Sequence, residues 1–151
     1  MIEDVLAKLG IELPPAAAPV ASYVPVRRAG NLAFVSGQLP LRDGVLLFPG
    51  KLGAEVALAQ GQEGARRCAL QALAALREAL GSLDAIQGIV QLSVFVASAP
   101  GFTDQPKVAN GASDLLVEIF GDAGRHARAA VGVAELPLGA SVEVTLVAEV
   151  V

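Results

Sequence analysis

"HARAAVGVAELPLGASVEVTLVAEV", residues 126–150, is the stretch on which the architecture turns. Small and β-branched residues on either side of Pro137-Leu138-Gly139 predict two apolar strands around a tight turn. Three side chains do not suit a plain apolar strand pair. His126, the chain's only histidine, stands two residues before Arg128, and Glu143 sits inside the second strand. Charges in such positions are either solvated edges or parts of a site. If the two strands form a simple hairpin about residue 138, Arg128 faces about residue 148, roughly 17 Å of strand from Glu143. On that geometry the two charges are not direct neighbours.

Upstream, "AIQGIVQLSVFVA" (85–97) alternates as a strand. Ile86, Val90, Leu92, Val94 and Val96 fall on one face, and Gln87, Ile89, Gln91, Ser93, Phe95 and Ala97 on the other. The first set suits a helix-covered face. The second is too polar for a core and too apolar for open water. "GARRCALQALAALREALG" (64–81) carries Ala65, Cys68, Ala69, Ala72, Leu73, Leu76, Ala79 and Leu80 on one helical arc. Arg66, Arg67, Gln71, Arg77 and Glu78 lie largely opposite, and Gly81 is the expected stop. Cys68 is therefore expected in the core. A second helix is expected within 104–120 despite an internal glycine. "YVPVRR" and "LAFVSGQL" around "AGN" predict a β-hairpin, and "RDG" (42–44) another turn. Ile2, Val5, Leu6 and Leu9 mark a short amphipathic helix, followed by an extended connector, "LPPAAAPVAS" (13–22). The element order is that of an α+β fold with helices on one sheet face. The half-apolar opposite face calls for a partner, and a closed oligomer supplies one.

Composition narrows the function. The 151 residues are 54% hydrophobic but only 4% aromatic, with no tryptophan, so burial must come from Ala, Val and Leu. A net charge of −4 argues against a general nucleic-acid binder, which needs a basic footprint. One Cys and one His cannot assemble a disulfide framework or a zinc cluster, so no metal site is expected. The acidic start "MIEDVLAKLG" lacks the basic region of a signal peptide, and no apolar run reaches the ~18 residues of a spanning helix. A cytoplasmic protein without membrane contact is expected.

"GNLAFVSGQLP" (30–40), "GASDLLVEIFG" (111–121) and "HARAAVGVAELPLGASVEV" (126–144) together resemble the YjgF/YER057c/UK114 family, also called RidA. The most specific element is Ala-Arg-x-x-Val-x-Val-x-x-Leu-Pro, beginning at Ala127. The resemblance runs from about Ser22 to Val151. The helix and connector over 1–20 are similar to the prefix of the family's longer branch, leaving 21–151 as a single RidA-like domain. It implies a fold like that of chorismate mutase from bacilli, a mixed sheet backed by two helices and assembled as a homotrimer. It also implies hydrolysis of reactive enamines and imines to keto acids and ammonia, with neither metal nor organic cofactor.

On that resemblance, Arg128 falls on the arginine that holds the substrate carboxylate, and Glu143 on the acid that positions the attacking water. Tyr23 matches a cleft tyrosine of the first strand. Ser36 and Gly37 match a turn whose backbone faces the ligand, and Asn110 is the nearest match to a cleft asparagine. Chemistry supports the first assignment, since a guanidinium fork matches a carboxylate with two parallel bonds. Two departures stand out: His126 replaces the proline of a common Pro-Ala-Arg, and Ala130 replaces a cysteine. His126 is either a pocket acid or a loop residue. Both departures bear on which imine is taken. The rival function is a non-catalytic anion-binding or regulatory trimer, and a ribonuclease ranks third because basic residues are few.

Overall fold

The computed structural model describes residues 1–18 and 21–151. Part of the expected connector, Pro19 and Val20, lies outside them. Helix α1 (Ile2–Leu9) is followed by strands β1 (Val26–Ala29) and β2 (Leu32–Gln38) and a small ribbon, β3 (Leu41–Arg42) with β4 (Val45–Leu46). Then come α2 (Leu58–Leu80), β5 (Ile86–Ala97), α3 (Gln105–Phe120), β6 (Ala127–Val133) and β7 (Val142–Val150). The main sheet has the order β1-β2-β7-β5-β6, antiparallel except for the parallel pair β5–β6. This is the mixed sheet backed by helices that the resemblance implies. Among the described residues no helix is long and apolar enough to cross a membrane.

Alanine and glycine set the spacing between the helices and the sheet. Ala65, Cys68, Ala69, Ala72, Leu73 and Leu76 of α2 are fully buried. A Cβ on Gly64 would stand 3.1 Å from Val142 Cγ1, so that turn of α2 lies close on β7. The internal glycine of α3 has an equally concrete reason. A Cβ on Gly111 would meet Gln62 O at 2.0 Å, so only glycine lets α3 cross α2 at this distance. Gly81 closes α2 in the left-handed conformation, φ 84°, as expected. Leu6 of α1 joins the same core.

Three expectations need correction. The last two strands do not form a hairpin: β6 pairs parallel with β5, and β7 lies on the other side of β5, between it and β2. A 3₁₀ turn at Pro137–Gly139 carries the chain across rather than folding it back on itself. The faces of β5 are not one unbroken alternation. Irregularities between Ile86 and Gly88 and between Ile89 and Gln91 shift the register, so Ile89 is buried and Val90 is 43% exposed. Gln71, placed on the polar arc of α2, is only 3% exposed.

One sheet face is covered by α2 and α3 through Val35, Leu92, Val94, Val142, Val144 and Leu146. The other is open within the chain and carries Phe34, Phe95, Val131, Glu143, Thr145 and Val147.

Candidate functional site

The strand register fixes where each candidate side chain points. Glu143 pairs with Phe95, and Phe95 with Val131, so all three share the open face. Val142 and Val144, the neighbours of Glu143, are buried on the helix side, as their alternation predicts. Glu143 lies against β2 where that strand is irregular: Val35 pairs with Leu146 and Gln38 with Val144, so Ser36 and Gly37 together face Thr145. This extra residue is a β-bulge, which re-aims the strand locally. It brings Gly37 under Glu143, where a Cβ would stand 2.6 Å from Oε2. The half-buried carboxyl is raised from its ordinary value because burial disfavours its charged form.

Ser36 Oγ donates to Val24 O at 2.6 Å and pins the segment before β1 to the bulge. Tyr23 belongs to that segment, three residues before β1 rather than in a strand, and is 50% exposed. Tyr23, Ser36 and Gly37 line one cleft of about 180 Å³ with Leu39, Leu41 and Leu138. Leu138 was read from the sequence only as part of a turn, not as a cleft residue. It is 82% exposed with φ 61°, an uncommon conformation for a branched side chain.

Arg128 belongs to a different place. It pairs with Leu92, which pairs with Leu146, and both leucines are buried on the helix face. At the sheet edge its side chain runs along α3. Nη1 donates to Asn110 Oδ1 at 2.8 Å and to Ser113 Oγ at 3.1 Å. With Nη1 so occupied, its Nε–Nη2 edge has no partner among the described residues, and that edge is the fork a carboxylate accepts. Ala127 and Ala129 beside it are small and exposed. His126 is half-buried behind the arginine, with Nε2 2.9 Å from Ser113 Oγ and Nδ1 2.7 Å from Gly124 O. Ser113 was missed in the sequence. Its only signal is spacing, since Asn110 and Ser113 at i, i+3 share one face of α3.

The seven candidates therefore form two groups. Tyr23, Ser36, Gly37 and Glu143 gather at the open face and its rim, and Asn110, His126 and Arg128 gather at the helix-side edge. Arg128 and Glu143 are two strands apart and three residues offset, on the order of 14 Å between Cα atoms. Their side chains leave opposite faces of the sheet. Cys68 is in neither group: it is fully buried, and burial holds its thiol well above the usual range.

Residues 3–150 match the family described as "YjgF/chorismate mutase-like, putative endoribonuclease". The chain is 52% identical to Protein TCP17 of Trypanosoma cruzi over 145 residues, covering 95% of this chain and 91% of that protein. It is similar to the solved structure of Atu1372 from Agrobacterium tumefaciens, a protein of unknown function, with 46% identity and a TM-score of 0.92 over 99% of this chain and 92% of the other. A solved protein of Shewanella oneidensis is 38% identical with a TM-score of 0.96, covering 99% of both chains.

Proposed function

Because the chain belongs to the YjgF/chorismate mutase-like family, we propose that it hydrolyses reactive 2-imino or enamine acids to 2-keto acids and ammonia. The sites would lie between copies of the chain in a homotrimer. One observation carries this reading: the open donor edge of Arg128 and the carboxyl of Glu143 leave opposite faces of one sheet. A site that uses both takes one from each of two copies, and the half-apolar open face is the surface a second copy would cover.

The chemistry needs few groups. An iminium carbon is already electrophilic, so the protein supplies orientation and a base. Arg128 holds the carboxylate through its Nε–Nη2 edge. Glu143 accepts a proton from water as the water oxygen bonds to the iminium carbon, and it then returns that proton to the carbinolamine nitrogen. The C–N bond breaks, ammonia leaves, and the hydroxyl proton is released to the departing ammonia as the keto acid forms. The raised carboxyl of Glu143 suits a general base, because a weak conjugate acid makes a better proton acceptor. No resident metal or organic cofactor enters this scheme.

Ribonuclease chemistry has less support. The net charge is −4, Arg66 is paired with Glu118 at 3.4 Å, and Arg28 is engaged by the carbonyl of Val151. The reading is tested by coupling an amino-acid-eliminating enzyme to this protein and comparing ammonia release across several 2-imino acids. Acceleration over the spontaneous rate supports it, and none for any substrate refutes it.

A further inference from the structure

We propose that Ser113 and His126 form a directed hydrogen-bond relay that sets the rotation of the Arg128 guanidinium, so that both are positioning residues rather than substrate contacts. The inference rests on the reading of Arg128 as the carboxylate clamp. It gives His126 a role different from that of a pocket acid.

The direction of each hydrogen follows from the two ends of the chain of contacts. A guanidinium only donates, so Ser113 Oγ accepts from Arg128 Nη1 at 3.1 Å. A backbone carbonyl only accepts, so His126 Nδ1 carries a proton and donates it to Gly124 O at 2.7 Å. The 2.9 Å contact in the middle then has one arrangement compatible with a neutral ring: Ser113 O–H donates to the lone pair on Nε2. Every donor meets an acceptor, and the tautomer is fixed. The far end of the relay is tightly packed. A Cβ on Gly124 would meet Leu116 O at 2.2 Å, so this loop closes tightly on the end of α3.

Arg128 is thereby tied to backbone through two side chains, and Asn110 Oδ1 takes the second Nη1 proton at 2.8 Å. With both Nη1 protons spent, a carboxylate meets the Nε–Nη2 edge and no other. Without the relay, the end-on Nη1–Nη2 edge would compete, and the anion would bind in two orientations. A preorganised fork binds more tightly because less freedom is lost on binding.

The single histidine makes the test direct, since ¹⁵N-labelled imidazole gives the signals of one ring. In the wild-type protein Nδ1 should be pyrrole-type and Nε2 a hydrogen-bonded pyridine-type nitrogen. Ser113→Ala should move the Nε2 signal and leave Nδ1 in place. Pyruvate, a stable 2-keto acid, serves as the anion probe. Its affinity should fall about five- to tenfold in Ser113→Ala, as expected for one lost hydrogen bond. His126→Asn keeps a donor toward Gly124 but is too short to place an acceptor at the Nε2 position near Ser113, and should fall equally. His126→Gln offers an amide oxygen near the position of Nε2 and should recover most of the loss. In turnover, KM should rise more than kcat falls. A ring protonated on Nε2, whether or not Nδ1 is protonated too, or a Ser113→Ala protein with unchanged ring signals and pyruvate affinity, would overturn the relay. Wild-type protein that binds pyruvate through the relay yet hydrolyses no imine would refute the proposed function and leave the relay standing.

Discussion

Glu143 and Gly37 are in contact across the bulge of β2, with only the absence of a side chain on Gly37 leaving room for the carboxyl: a Cβ there would stand 2.6 Å from Oε2 and 2.9 Å from Cδ. The obstructing atoms belong to the movable end of a side chain, not to backbone. Gly37→Ala should therefore displace the carboxyl while leaving the fold intact. Imine hydrolysis should fall at least tenfold with a melting temperature close to wild type, measured by turnover and thermal denaturation on the same preparation. Full activity in Gly37→Ala would mean that the position of this carboxyl does not matter.

Glu143 also predicts a pH dependence. Burial raises its carboxyl, so the folded protein holds this proton more tightly than the unfolded chain does. The associated stability is complete below the unfolded value and is lost as pH rises through the folded value. Glu143→Gln should consequently melt higher than wild type at neutral pH, with the gap closing as pH falls into the carboxylate range. Activity should run the other way. The base must be ionised, so the acid limb of the rate profile should lie above the ordinary carboxylate range and disappear in Glu143→Gln. A native function untouched by this variant would favour an anion-binding trimer over an enzyme.

The strand or helix that carries most of the candidate residues was legible in the sequence, and what was not has physical causes. The alternation Val142-Glu143-Val144 sets the carboxyl opposite its two valines because strand side chains have a period of two, and the packing of α2 and α3 on the valine face leaves the carboxyl's face uncovered. The position of β6 was not legible. Its small apolar residues suit a hairpin arm and a parallel edge strand equally, and the choice depends on β5, some 35 residues earlier in the chain. The irregularities that exchange Ile89 and Val90 come from pairing rather than from local composition. Ser113, a lone hydroxyl on an amphipathic helix, has meaning only once Arg128 lies against it. Gln71 was misplaced because the helical arc it sits on is covered more widely than its polarity suggests.

Arg128→Ala should remove the clamp and keep the fold, since its small exposed neighbours provide little packing to lose. The cost should be about 2–4 kcal/mol of transition-state stabilisation, roughly a hundredfold or more in rate. Arg128→Lys should restore only part, because an ammonium cannot present a planar fork. Kinetics with circular dichroism on each variant decide this. A folded Arg128→Ala enzyme at full rate would reduce the residue to a solvated strand end.

Gly111 tests the fold apart from the chemistry. Its missing Cβ leaves the α2 backbone at Gln62 room to approach, and that backbone cannot yield as a side chain could. Gly111→Ala should destabilise by about 2–3 kcal/mol through overpacking. Denaturant titration measures it, and a loss below experimental error would mean that the two helices are not this close.

If one copy supplies Arg128 and another supplies Glu143, mixing two impaired variants should rebuild whole sites. Arg128→Ala and Glu143→Gln proteins, each severely impaired alone, are unfolded together in equal amounts, refolded and assayed. In a closed ring of randomly mixed copies, about one site in four joins an intact Arg128 to an intact Glu143. Recovery of about a quarter of wild-type activity is expected, with none when the two proteins are refolded separately and then combined without exchange. No recovery from a refolded mixture shown by mass spectrometry to contain hybrid assemblies would contradict a site shared between copies.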